Sequence, residues 1–124
     1  LQLAVKKGYR IGIITGGNSQ TVKKALESLG IEDIFLAQHD KLQCYKDYIN
    51  EHDLKEDEIL YMGDDLPDYE VMKRVGLAVC PFNAAHEIKE ICTYISSRNG
   101  GEACVRDVVE QVMRSQGTWE ITGW

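Results

Sequence analysis

Four short apolar runs, at residues 10–14, 34–36, 59–62 and 77–80, are each followed by a turn and then by apolar residues at helical spacing. Such runs suit strands and are too short for buried helices, and the helical stripes between them supply the crossovers that parallel strands require. The stripes are Val22, Ala25, Leu26 and Leu29; Leu42, Tyr45, Ile49 and His52; Val71, Met72 and Val75; and Ile88, Ile91 and Cys92. Gly8, after a helix tail at residues 1–7, and Gly30 and Gly76 read as helix ends, while Pro81 stops the run before it. Tyr94 and Ile95 read as an edge strand, and Val105, Val108, Val109, Val112 and Met113 as the buried stripe of a last helix. The alternation implies an α/β domain with a mostly parallel sheet covered on both faces. With 124 residues, 44% of them hydrophobic, the chain can build one core, expected over residues 1–116 with a tail at 117–124.

In open parallel sheets ligands collect at the carboxyl ends of the strands. The run at 59–62 ends in Gly63-Asp64-Asp65-Leu66-Pro67-Asp68, three carboxylates within five residues. Clustered carboxylates repel unless a proton or a cation neutralises them, and Mg²⁺ takes one or two of them while keeping waters and phosphate oxygens. Asp64 and Asp65 are thus candidate metal residues, with Asp68 beside them; the same acids before a Pro also suit a helix cap, and spacing leaves both readings open. The run at 10–14 ends in Thr15-Gly16-Gly17-Asn18-Ser19 before a helix. Free amides, a hydroxyl and the positive end of a helix dipole make an anion pocket, yet the segment equally reads as a plain turn capped by Asn18 or Ser19.

A net charge of −6 and the lack of a basic run argue against nucleic acid as a partner. There is no apolar stretch of membrane-spanning length and no signal-peptide pattern, so no membrane partner and a cytoplasmic location are expected. Cys44, Cys80, Cys92 and Cys104 form no C-x-x-C pair and read as reduced structural cysteines. His39, His52 and His86 read as surface or boundary residues, since none accompanies a nucleophile motif.

The order Ile-Ile-Thr-Gly-Gly, then Lys41, then Tyr-Met-Gly-Asp-Asp-Leu-Pro-Asp followed by Val-Met-Lys-Arg-Val-Gly-Leu resembles the haloacid dehalogenase superfamily of phosphohydrolases. Within it the chain is most similar to the small capless 3-deoxy-D-manno-octulosonate 8-phosphate and 2-keto-3-deoxynononate 9-phosphate phosphatases, from about Leu1 to Trp119. The resemblance implies a Rossmann-like three-layer α/β/α sandwich and Mg²⁺-dependent hydrolysis of a sugar-acid phosphate through an aspartyl-phosphate. It implies that Thr15, with the backbone of Gly16 and Gly17 and with Asn18 nearby, binds the phosphoryl group. Lys41, by base rate a surface lysine, becomes the cation that neutralises the phosphate. Asp64 becomes the side-chain metal ligand, with Asp65 and Asp68 as supporting acids. Arg106 is a candidate for a substrate carboxylate, or else pairs with Glu102 or Glu110 at helical spacing.

Members of that family begin with a central hydrophobic strand ending in Asp-x-Asp, which supplies nucleophile and general acid. No Asp-x-Asp occurs in these 124 residues. The expectation is an amino-terminally truncated chain lacking that strand, inactive alone, with open edges on the neighbouring strands. The family also implies tetramers, in which the tail with Trp119 and Trp124 reaches a neighbour's site; a loose terminus is the plainer alternative. The rival functional reading is a noncatalytic phosphatase-like module serving in oligomerisation or as a scaffold, detached from a sugar-nucleotide enzyme.

Overall fold

The structure, a computed structural model, describes residues 6–100 and 104–118. They sort into two compact units, one drawn from Leu1–His39 with Val109–Trp124 and one from Asp40–Val108.

In the first unit β1 (Gly12–Ile14) pairs in parallel with β2 (Asp33–Phe35), in the register Gly12 with Asp33 to Ile14 with Phe35. The crossover is α1 (Gln20–Ser28), capped by the Ser19 hydroxyl, which accepts from Val22 N. Gly30, at φ 90°, then turns the chain back, a left-handed conformation that glycine adopts without strain. The expected strand at 10–14 is shortened to Gly12–Ile14, because pairing with β2 begins only at Gly12. The stripe of Val22, Ala25, Leu26 and Leu29 does form a helix, and α1 buries no side chain. A sheet of two short strands offers a helix too little face to cover it. The core here is Met113, packed by Tyr9, Ile11 and Val109.

The second unit carries β3 (Leu60–Met62), β4 (Leu77–Cys80) and β5 (Tyr94–Ile95), all parallel, with β4 in the middle and β5 at the edge. Preceding them is α2 (Lys41–Glu51), capped by Asp40. Between β3 and β4 a 3₁₀ turn (Leu66–Asp68) runs into the short α3 (Tyr69–Met72), and between β4 and β5 lies α4 (His86–Ile91). The last helix, α5 (Cys104–Ser115), has its first turn in this unit. Met72, Ala78, Cys80, Ala84 and Ile88 form the core, and Val71 and Val79 are also buried.

The second helix of this unit differs from expectation in being four residues long and ending before Val75. Gly76 is not a left-handed helix end. A Cβ there would run into the Asp57 backbone, so glycine is required by close approach. The strands are parallel, as expected, and among the described residues they form two sheets, in which β1 pairs only with β2, and β3 only with β4. Gly101, Glu102 and residues 119–124, with Trp119 and Trp124, lie outside the described residues, as do residues 1–5 of the expected first helix. Among the described residues no helix is long and apolar enough to cross a membrane.

Candidate functional site

The site of the second unit is built around Asp68. Pro67 presets the backbone of the 3₁₀ turn, and Asp65 caps that turn through its carboxylate, which accepts from Leu66 N at 2.8 Å. The turn brings Asp68 back beneath Gly63, where a Cβ would stand 2.5 Å from the Asp68 Cβ and 2.7 Å from the Met72 sulfur. Only glycine leaves Asp68 room to occupy that position, and Asp68 is 3% exposed.

A buried carboxylate needs partners, and Asp68 has four. Its Oδ1 accepts from Lys41 Nζ at 3.0 Å and from the Tyr61 hydroxyl at 2.8 Å. Its Oδ2 accepts from Asp64 N at 3.1 Å and Asp65 N at 3.4 Å. Lys41 stands at the first position of α2, the positive end of a helix dipole, where a cation is locally disfavoured. Its ion pair with Asp68 offsets that, and 18% of the Lys41 side chain is exposed.

Asp64 is fixed through its backbone on both sides, since its carbonyl accepts from Ala85 N at 2.9 Å while its amide donates to Asp68. Its side chain is exposed, and among the described residues its carboxylate accepts no hydrogen bond. Of the two acids expected to hold metal, Asp65 is engaged as a cap and Asp64 is uncommitted. No group of three metal-ligating side chains occurs among the described residues. One hard carboxylate on a fixed backbone still fits Mg²⁺, which completes its shell with water and phosphate oxygens.

In the first unit the loop after β1 is clamped by the segment after β2. Thr15 N donates to Phe35 O, Gln38 N to Thr15 O and Ala37 N to Gly17 O, all between 2.8 and 3.0 Å. Ala37 takes φ 53° to do so, a left-handed conformation costly for a residue with a Cβ. Gly17 N donates to Thr15 Oγ1 at 3.1 Å, so that amide, expected to be open to a phosphate, already has an acceptor. The Thr15 hydroxyl is left with its proton to donate, and Gly16 and Asn18 are exposed beside it.

The structure therefore joins Lys41, Asp68 and the backbone of Asp64 and Asp65 in one network, and groups Thr15, Gly16, Gly17 and Asn18 in one loop of the other unit. Arg106 is exposed on α5, while Glu110, one of its expected partners, pairs with Arg114 at 3.1 Å. Tyr61 carries no motif signal, although a phenol inside an apolar, half-buried strand calls for a hydrogen-bond partner. Burial, then the neighbouring charge of Asp68, hold its hydroxyl far above the usual phenol range. His39 and His86 are exposed, and His52 stacks on Tyr48 with ring centres 4.6 Å apart. The four cysteines are free, with Cys80 and Cys104 buried; burial and the Cys80 thiol beside it push Cys92 up to about 12.

The family profile of the haloacid dehalogenase-like hydrolases matches residues 30–106, more than half of the sequence. The chain belongs to the haloacid dehalogenase-like hydrolases. It is 29% identical over 117 residues to the 3-deoxy-D-manno-octulosonate 8-phosphate phosphatase of Escherichia coli K12, covering 94% of this chain and 62% of that one. The chain thus spans less than two thirds of the curated relatives it matches. The crystal structure of the Yersinia pestis octulosonate 8-phosphate phosphatase superposes with TM-score 0.90 at 27% identity, over 94% of this chain and 63% of that one. That of the Moraxella catarrhalis enzyme, in complex with magnesium, phosphate and 3-deoxy-D-manno-octulosonate, gives TM-score 0.89 at 29% identity, over 94% and 67%. The fold is accordingly the Rossmann-like α/β fold of haloacid dehalogenase-like hydrolases.

Proposed function

We propose that these residues belong to a Mg²⁺-dependent phosphatase that hydrolyses the phosphate monoester of a sugar acid, of the octulosonate 8-phosphate or deoxynononate 9-phosphate type. The observation that carries this reading is the Lys41–Asp68 pair at the carboxyl end of β3, beside the uncommitted Asp64. Phosphoryl transfer asks a protein mainly to position the group and to neutralise charge on its oxygens. Lys41 supplies a fixed cation, and Asp68 keeps it in place. Thr15, Gly16, Gly17 and Asn18 are assigned to the phosphoryl group by family resemblance. Asp64 would hold Mg²⁺, with Asp65 supporting its loop, and the bound ion supplies charge neutralisation at the phosphate. Arg106, exposed and with Glu110 engaged elsewhere, suits the sugar-acid carboxylate.

The carboxylate nucleophile of an aspartyl-phosphate route comes from outside these 124 residues, since they hold no Asp-x-Asp. That same lack favours a second reading, a noncatalytic oligomerisation or scaffold module; an Asp-x-Asp strand in the complete protein argues against it. A homotetramer is part of the proposal and rests on the family resemblance. The test is phosphate release by the complete protein with Mg²⁺ from a panel of sugar-acid phosphates. Lys41→Met should lower kcat/KM by about a hundredfold, the scale of losing a charged transition-state partner. An unchanged rate in that variant would remove Lys41 from the site.

A further inference from the structure

We propose that Tyr61 is a positioning residue of this site, acting through Asp68 to set where the Lys41 ammonium stands and to hold the Asp64 loop. The inference rests on the phosphatase reading for its kinetic part and on geometry alone for the rest.

The Tyr61 hydroxyl donates to the same Asp68 oxygen, Oδ1, that accepts from Lys41, at 2.8 and 3.0 Å. The two donors share one oxygen, so neither holds the carboxylate alone, and the phenol lessens the pull of Oδ1 on the ammonium. With Oδ1 pinned from two directions, Oδ2 is left facing the amides of Asp64 and Asp65. Losing the hydroxyl frees the carboxylate to turn about its last torsion, which loosens those two amides and draws Lys41 toward Asp68 instead of toward a phosphate.

The phenol is itself placed by packing. Its ring meets Tyr45 of α2 edge to face, with centres 6.4 Å apart and planes at 88°, four residues along the helix from Lys41. Tyr45 is 4% exposed and its own hydroxyl has no hydrogen-bond partner among the described residues. The contact is therefore ring against ring and survives in Phe. The phenol stays protonated well above the ordinary range through burial and the nearby Asp68 charge, which keeps it a donor wherever Asp68 is ionised.

Tyr61→Phe in the complete protein tests this with two readouts. In amide hydrogen exchange, Asp64 and Asp65 should exchange about tenfold faster while β4 and β5 keep their protection. In phosphate release with Mg²⁺, kcat should fall about tenfold with a smaller change in KM, and adding Tyr61→Phe to Lys41→Met should cost clearly less than it does alone, because only the Asp64 loop is then left for the phenol to act on. Unchanged exchange at Asp64 and Asp65 overturns the proposal. So does faster exchange throughout β3 to β5, or failure to fold, either of which means general support of the core. A full additional loss in the Lys41→Met background also overturns it. If the unsubstituted protein releases no phosphate, the functional reading fails instead, and the exchange result alone decides whether Tyr61 positions Asp68.

Discussion

Gly63, Asp68 and Lys41 form a chain of dependence in which each residue's chemistry is set by a neighbour's size. Because Gly63 has no Cβ, Asp68 can tuck beneath it; because Asp68 is buried there, it must find donors, and Lys41 is the only cation among the four it has. Gly63→Ala should thus displace Asp68 and lower stability by about 2 kcal/mol, the usual scale for overpacking a well-filled site. Urea unfolding measures it, and a change within experimental error would mean that the turn relaxes freely around an added methyl. At this scale the sequence was only partly legible. Motif order marked Thr15, Lys41 and Asp64, but no spacing rule joins Lys41 to Asp68 across 27 residues. Likewise, two adjacent aspartates look alike in sequence, and only the turn geometry separates Asp65, which caps, from Asp64, which stays uncommitted.

Elements in the second unit are tied to one another by buried polar groups as well as by apolar contact. Asp107, near the start of α5, accepts from the Tyr94 hydroxyl at 2.8 Å and from the buried Ser96 at 2.7 Å, joining the helix to β5 and the segment after it. Removing the carboxylate leaves the Ser96 hydroxyl buried without that acceptor, so Asp107→Ala should cost about 2 kcal/mol or more. Hydrogen exchange should show the loss first in β5 and the first turn of α5; uniform loss over the unit would contradict this placement of the tie. Strand and helix order was legible because each apolar run is followed by a helical stripe. The extents were not, since a strand ends where its partner does, as Ile59 and Leu36 show by lying outside β3 and β2. The short α3 reflects a 3₁₀ turn taking over the segment that carries Asp68.

Across the whole molecule Tyr45, Tyr61 and Tyr94 are held above the ordinary phenol range. Burial is the first cause for Tyr45 and Tyr61, and the hydrogen bond to Asp107 for Tyr94. In the unfolded chain these phenols ionise near pH 10. Their contribution to stability is complete below about pH 10 and is lost as the pH rises beyond it, because unfolding then releases protons. Urea midpoints should hold level to about pH 9 and fall above about pH 10, with part of the phenolate absorbance appearing only on unfolding. Ionisation of all three near pH 10 in the folded protein would contradict the network around Asp68. The α/β class was legible from alternation alone, and the family from motif order. That β1 and β3 each have a single strand partner among the described residues is not readable from the apolar runs themselves, because pairing depends on what lies beside a strand in space; the lack of an Asp-x-Asp strand is what points to open edges.

Asp64, Lys41 and Asp68 are proposed to serve a Mg²⁺-dependent phosphatase. The measurement to make is the initial rate of phosphate release from 3-deoxy-D-manno-octulosonate 8-phosphate by the complete protein, with Mg²⁺ and after chelation, beside Asp64→Asn. Release should require Mg²⁺ and fall by about a hundredfold or more in Asp64→Asn. Release indifferent to chelation and to Asp64, or none from this and related sugar-acid phosphates, would contradict it.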